Sequence, residues 1–134
     1  MIAVQILKED VKEIFEIPYV TMWIDGPIMY CKYVDDLHLS LEVAKTCVEG
    51  RIYFSKGKSF PLFIDMTGIK STTREARKYM ASMGATLVTA AALITKSPVS
   101  RTIGNIFLKI DKPQVPLKLF TSEEKAREWL TQFE

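Results

Sequence analysis

Apolar residues along the chain recur at two alternating periods, and each change of period marks a boundary between elements. Residues 19–24 and 28–34 are rich in β-formers. The Asp25-Gly26 pair between them favours the positive φ of a tight turn, so the two runs read as a hairpin with Pro27 in its loop. Residues 35–39 read as a connection. Leu41, Ala44, Val48 and Ile52 then recur every three or four positions, a stripe that also admits Cys47 and lies on one face of a helix capped by Ser40. This helix closes near Ser55-Lys56-Gly57-Lys58, and Gly50 inside it costs about 1 kcal/mol relative to alanine. Residues 60–65 form a short apolar strand that runs into a turn at Gly68. Thr72 with Glu75 reads as a capping box, and Ala76, Tyr79, Met80 and Met83 give the stripe of a second helix that stops at Gly84.

Residues 87–95 are a nearly continuous uncharged run, the pattern of a strand covered on both faces. Ser97 and Pro98 open a third helix whose stripe is Val99, Ile103, Ile106, Phe107 and Ile110. Leu108 falls outside that stripe and leaves apolar surface for a neighbouring helix or a second subunit. A proline-stiffened linker at 112–116 leads to a strand at 117–120. Thr121 with Glu124 is a second capping box, and Ala126, Trp129, Leu130 and Phe133 form the stripe of a last helix. At the other end, residues 2–7 alternate weakly, as an edge strand does, and 8–17 fit either a helical turn or part of a long first strand.

Hairpin, helix, strand, helix, strand, helix, strand, helix is the order of an α/β domain with a mixed, mainly parallel sheet of four to five strands and about four helices. At 134 residues the chain fits one domain, with a core over 19–133 and an N-terminal extension over 1–18. The strand ends place Asp65 to Gly68, Lys96-Ser97 and Thr121 along one carboxyl edge, beside three helix N-termini, the edge where open sheets of this class present ligand-binding groups.

Composition narrows the chemistry. Apolar residues make up 48% and charged ones 25%, the balance of a globular chain, and the slightly positive mean hydropathy hints at an apolar pocket or a self-association surface. The net charge of +2 hides an uneven spread: residues 70–112 hold 8 basic and 2 acidic side chains, against 7 and 10 before them. That block either attracts an anion or is a solvated basic face. No nucleic-acid motif, Arg-rich tract or aromatic stacking motif accompanies it, so no nucleic acid partner is expected. One histidine, His38, and two cysteines, Cys31 and Cys47, without metal-ligand spacing, argue against an imidazole-rich metal site and against a hydrolase triad. The six glycines are scattered singly, so there is no phosphate-cradling loop and no cofactor is implied. Lys8, Glu9 and Asp10 interrupt the short apolar start, and no run reaches the ~18 apolar residues of a membrane span. A cytoplasmic protein without a leader or span is expected.

Phe63-Ile64-Asp65-Met66-Thr67-Gly68-Ile69 resembles the strand of the STAS domain, the SpoIIAA-like family of anti-sigma-factor antagonists, in which an apolar strand runs into Asp-Leu-Ser-Gly-Val before a helix. Residues 115–130 resemble the ending of STAS-like and lipid-binding-like bacterial proteins. The resemblance implies a non-enzymatic bacterial regulator that acts through protein contacts and uses the helix-start edge around residues 68–77. In that family a serine beside an aspartate at the helix start is phosphorylated to break a complex with an anti-sigma kinase. Here the loop reads Lys70-Ser71-Thr72-Thr73-Arg74, with no Asp-Ser pair, so Ser71, Thr72 and Thr73 are candidates for a phosphorylation switch by location alone. Capping explains a hydroxyl there equally well.

Asp65 either acts as a base or braces its own turn. Asp65, Gly68, Lys70, Arg74, Lys96, Ser97, Ser100 and Arg101 together would gather positive side chains and free N–H groups into a site for an anion or a protein partner. The alternative function is a carrier or sensor of a small anionic or apolar ligand, and a homodimer is a further expectation from the surface around Leu108.

Overall fold

The computed structural model of the chain describes residues 3–7 and 12–134. Four strands, β1 (Ala3–Leu7), β2 (Lys12–Ile17), β3 (Val20–Asp25) and β4 (Ile28–Tyr33), form an antiparallel meander in which each pairs with the next. The expected hairpin is β3–β4, closed at Asp25 and Ile28, with Gly26 at φ 61. Of the two readings of 8–17, the helical turn does not hold for 12–17, which is a second strand of the main sheet, while 8–11 lies outside the described residues. Phe15 and Ile17 enter the core, which ties β2 down.

The chain then passes to the parallel half. Helix α1 (Leu41–Ser55), β6 (Phe60–Asp65), α2 (Arg74–Ser82), β8 (Val88–Ile94), α3 (Pro98–Ile106), β9 (Leu117–Phe120) and α4 (Glu123–Leu130) alternate, and β4, β6, β8 and β9 pair in parallel. The seven-stranded order is β1-β2-β3-β4-β6-β8-β9, more strands than the four to five expected, because the residues before Tyr19 supply two. Pro61 sits in a central strand, where its missing N–H would break a ladder. The register shifts between Phe60 and Pro61, which absorbs it.

Two short strands, β5 (Leu37–Leu39) and β7 (Ile69–Thr72), pair in parallel as a separate ribbon. Residues 35–39 are therefore more than a connection. The ribbon requires a glycine: a Cβ on Gly68 would lie 2.2 Å from the Val34 carbonyl oxygen. Two caps also move by one residue. Thr72 ends β7, and it is Thr73 whose hydroxyl accepts from the Ala76 N–H (3.1 Å); Ser122, not Thr121, accepts from Lys125 (3.2 Å). Ser40 and Ser97 cap as expected.

Strand alternation sorts the core into two layers. Met22, Met29, Cys31, Tyr33, Leu62 and Leu93 face α1, α2 and α3, while Ile28, Tyr30, Phe63, Ala92 and Ile94 face α4. In β8 every residue from Ala90 to Ile94 is buried, as its uncharged run requires. Each large apolar side chain so buried contributes about 1.5–3 kcal/mol. Gly50 lets α1 press onto the meander, since a Cβ there would stand 3.3 Å from Ile17 and 3.5 Å from Phe15.

Gly68→Ala is expected to cost about 3 kcal/mol, because the obstructing atom is backbone and cannot rotate away. Chemical denaturation of the variant checks this; an unchanged midpoint would show that the ribbon yields freely.

Candidate functional site

Three loops meet at the carboxyl ends of β6, β8 and β9, and a chain of polar contacts joins them. The Asp65 Oδ1 accepts from the Thr67 N–H (3.0 Å), so this carboxylate braces its own turn. Thr67 Oγ1 accepts from the Lys96 N–H (3.1 Å), and Lys96 Nζ donates to Glu123 Oε2 (2.6 Å) at the start of α4. The bond to Glu123, with the fields of Glu123 and Asp65, raises the Lys96 pKa above that of an ordinary lysine. Ser97 and Ser100 cap α3 reciprocally, each hydroxyl meeting the other's backbone N–H, and Ser100 is fully buried.

The remaining edge residues are spread more widely. Lys70 reaches Asp36 (3.5 Å) at the surface. Ser71 bonds the exposed His38 (2.5 Å), Thr72 donates to the Leu39 carbonyl (3.1 Å), and Thr73 holds the α2 cap. Lys70, Ser71 and Thr72 border an open groove with Pro98, Val99 and Thr102 of α3. Arg74 and Arg101, in the first turns of α2 and α3, are exposed and form no ion pair among the described residues. Gly68 is held by its contact with Val34 and not by a need for positive φ.

Behind this edge lies a cavity of about 80 Å³ between the sheet and the helices. Its floor includes Leu62, Ile64 and Leu93, and its roof Met80, Ile103 and Phe107. Thr72 and Arg77 bring it to the base of the ribbon and of α2. Arg77 is not free: its Nε donates to Asp111 Oδ2 (2.9 Å), and that carboxylate is 4% exposed. Asp111 closes a π-helical turn, Phe107–Asp111, that continues α3, so the ion pair straps α2 to the end of α3 across the cavity roof.

A second chamber of about 40 Å³ adjoins the first and shares Tyr33, Leu62, Ile64, Met80 and Gly84 with it. Arg51 of α1 enters this chamber, 5% exposed. Its Nη2 donates to the Gly84 carbonyl (3.0 Å), and its Nη1 has no acceptor among the described residues. Burial pulls the Arg51 pKa down, while Cys31 and Tyr33 act in the opposite sense. Sequence reasoning missed this residue, although a signal existed: Arg51 stands seven positions after Ala44 and four after Cys47, on the apolar stripe itself. Among the described residues no group of three or more His, Cys, Asp or Glu is arranged to hold a metal ion, and no helix is long and apolar enough to cross a membrane.

A family model described as a domain of unknown function, DUF7793, matches residues 22–134. The fold is similar to the crystal structure of an uncharacterised protein of the DUF3478 family from Shewanella loihica PV-4, described as having a SpoIIAA-like fold. The TM-score is 0.56 at 14% identity, over 97% of this chain and 92% of that one. No curated protein matches the chain. The expected STAS-like, SpoIIAA-like α/β architecture is thus the observed one.

Burial pushes the Cys31 thiol up to about 12, Arg51 opposing it, and burial with the field of Cys31 does the same for Cys47. The folded thiols hold their protons where unfolded ones, near pKa ~8.5, release them. Stability from this source is therefore present below that pH and declines as pH rises toward about 12. A thiol reagent at mildly alkaline pH is expected to label both cysteines slowly in native protein and rapidly in concentrated guanidinium. Rapid native labelling would show that the chamber is open.

Proposed function

The chain belongs to the DUF7793 family, a domain of unknown function, and on that premise we propose that it is a non-catalytic STAS-like module that carries or senses a small apolar ligand. The observation that carries this reading is the cavity, whose lining is almost wholly aliphatic and aromatic between the sheet and α2 and α3. A void of this kind forfeits contacts that a well-packed core would make, and an apolar guest restores them. The polar groups at the helix-start edge support the same choice. Asp65 and most of the hydroxyls there are engaged in bracing and capping, which leaves little organised for chemistry.

Titration of the full chain with 1-octanol, followed by backbone amide NMR, is expected to give saturable shifts at Ile69, Gly84 and Leu93. Ala91→Leu, which adds bulk at the cavity floor, should abolish them at a stability cost of no more than about 3 kcal/mol. Octanol shifts that never saturate, or that survive in Ala91→Leu, would remove the proposal.

A second reading has its own support. The edge at residues 68–77 presents Arg74 without an ion pair among the described residues, beside exposed Ser71 and Thr73, next to the roof of the cavity. A protein partner with an acidic surface would fit there, and a phosphate on Thr73 would sit at the α2 N-terminus close to Arg74. In this reading ligand occupancy reaches the partner through α2. A partner captured by the wild-type chain is expected to be lost by Arg74→Glu; equal capture by both would place the contact elsewhere. A homodimer through the apolar surface of the π-helical turn that continues α3 is compatible with either reading, Ile110 being exposed and Leu108 half-buried.

A further inference from the structure

Arg51 is the one residue in the two chambers whose burial the packing leaves uncompensated. Its guanidinium carries five N–H donors in a fixed fork, and no acidic side chain lines either chamber among the described residues. Arg77, the other cation in the lining, has its charge offset by Asp111 at 2.9 Å. Among the described residues Arg51 has the Gly84 carbonyl, a neutral acceptor, and no carboxylate. A buried charge without an opposite charge costs several kcal/mol, and a buried N–H without an acceptor adds to that cost. An apolar side chain would serve the core better at this position, so the site is explained by something that Arg51 binds.

We infer that Arg51 is the recognition residue for the acid group of a monocarboxylic ligand whose apolar body fills the larger chamber. This deepens the cavity reading above and rests on it. Three features set the chemistry. The fork matches a carboxylate, which can take two parallel N–H bonds, and Nη1 is the donor without a protein acceptor. The single uncompensated cation balances one negative charge, whereas a dianionic phosphate would leave a net charge in an apolar chamber. Arrangement is the third: Arg51 lines the smaller chamber, of about 40 Å³, and the almost wholly apolar chamber of about 80 Å³ adjoins it, so an acid head and an apolar body have separate places. The wall between the chambers includes Met80, an unbranched side chain with three rotatable bonds that can swing aside to join them.

Calorimetric titration of the full chain with octanoate, 1-octanol and octyl phosphate at neutral pH tests this. Octanoate is expected to bind about 10-fold to 100-fold more tightly than octanol, the worth of a hydrogen bond to a charged group. Arg51→Met should lose that preference and still bind octanol. Equal affinity for octanoate and octanol in the wild type would overturn the inference, leaving Arg51 to ordered water, while the apolar-ligand reading stands. A preference for octanoate that persists in Arg51→Met would overturn it as well, and tighter binding of octyl phosphate would overturn the monocarboxylate. Binding of none of the three removes both readings. If Arg51→Met does not fold, Arg51→Lys, which keeps the charge and loses the fork, is expected to bind octanoate about 10-fold more weakly than the wild type and octanol equally well; unchanged octanoate binding in it would overturn the inference.

Discussion

A strand that is apolar on both sides must be covered on both sides, and β8 places that requirement on the whole chain. Its residues from Ala90 to Ile94 are all buried, three toward α4 and two toward the opposite layer. Parallel neighbours joined by crossover helices are the ordinary way to meet the demand. The cover is unequal. One helix of 8 residues serves one face of the parallel half, and α1, α2 and α3 share the other. Small side chains at Ala90 and Ala92 let α4 sit close, with Ala126 and Leu130 in the seam. On the crowded face the helices are held apart by their own contacts, α1 against the meander at Gly50 and α3 against α2 through Arg77 and Asp111. The cavity is what remains between helices that cannot all descend onto the sheet.

The hydrophobic period made most of this legible in advance. Helices with clear stripes, the β3–β4 hairpin and the doubly covered β8 stand where the pattern put them, because burial of one face is what the pattern records. Local chemistry was harder to place. Thr72 and Thr73 are equally able to cap, and the choice falls to Thr73 because the β5–β7 ribbon takes Thr72 as its last residue. Thr121 and Ser122 differ in the same way. The ribbon itself was hidden, since Leu37-His38-Leu39 is too short to show a period and its partner strand lies 30 residues away in sequence, Leu37 opposite Ile69 and His38 opposite Ser71. Gly68 looked like a turn glycine, and the reason for it is a contact with Val34 that no local reading contains.

The candidate site is the least legible part of the sequence, because net charge along a segment does not show which charges have partners in space. The basic block at residues 70–112 points to the helix-start edge, yet three of its eight cations are matched by carboxylates. Lys70 meets Asp36, Lys96 meets Glu123 and Arg77 meets Asp111. The first two pairs are exposed, where water and salt screen them. The third is half-buried, with the Arg77 side chain 18% and the Asp111 side chain 4% exposed, so water screens it less than the other two.

Arg51 lies outside that block, in a region where acidic residues outnumber basic ones, and a tally of charge by segment discounts it. Its position in the helical repeat carries the information that the tally lacks. An arginine on an apolar stripe has two common resolutions: the stem lies along the surface while the head reaches water, or the head finds a carboxylate inside. At 5% exposure the first does not apply, and the described residues provide no carboxylate for the second. Cys31 and Tyr33 oppose the fall in its pKa, yet both are themselves held neutral by burial, so neither supplies the missing charge. Among the described residues the guanidinium therefore stands without an opposite charge, which is why the helical position of Arg51 says more about function than the charge of its segment does.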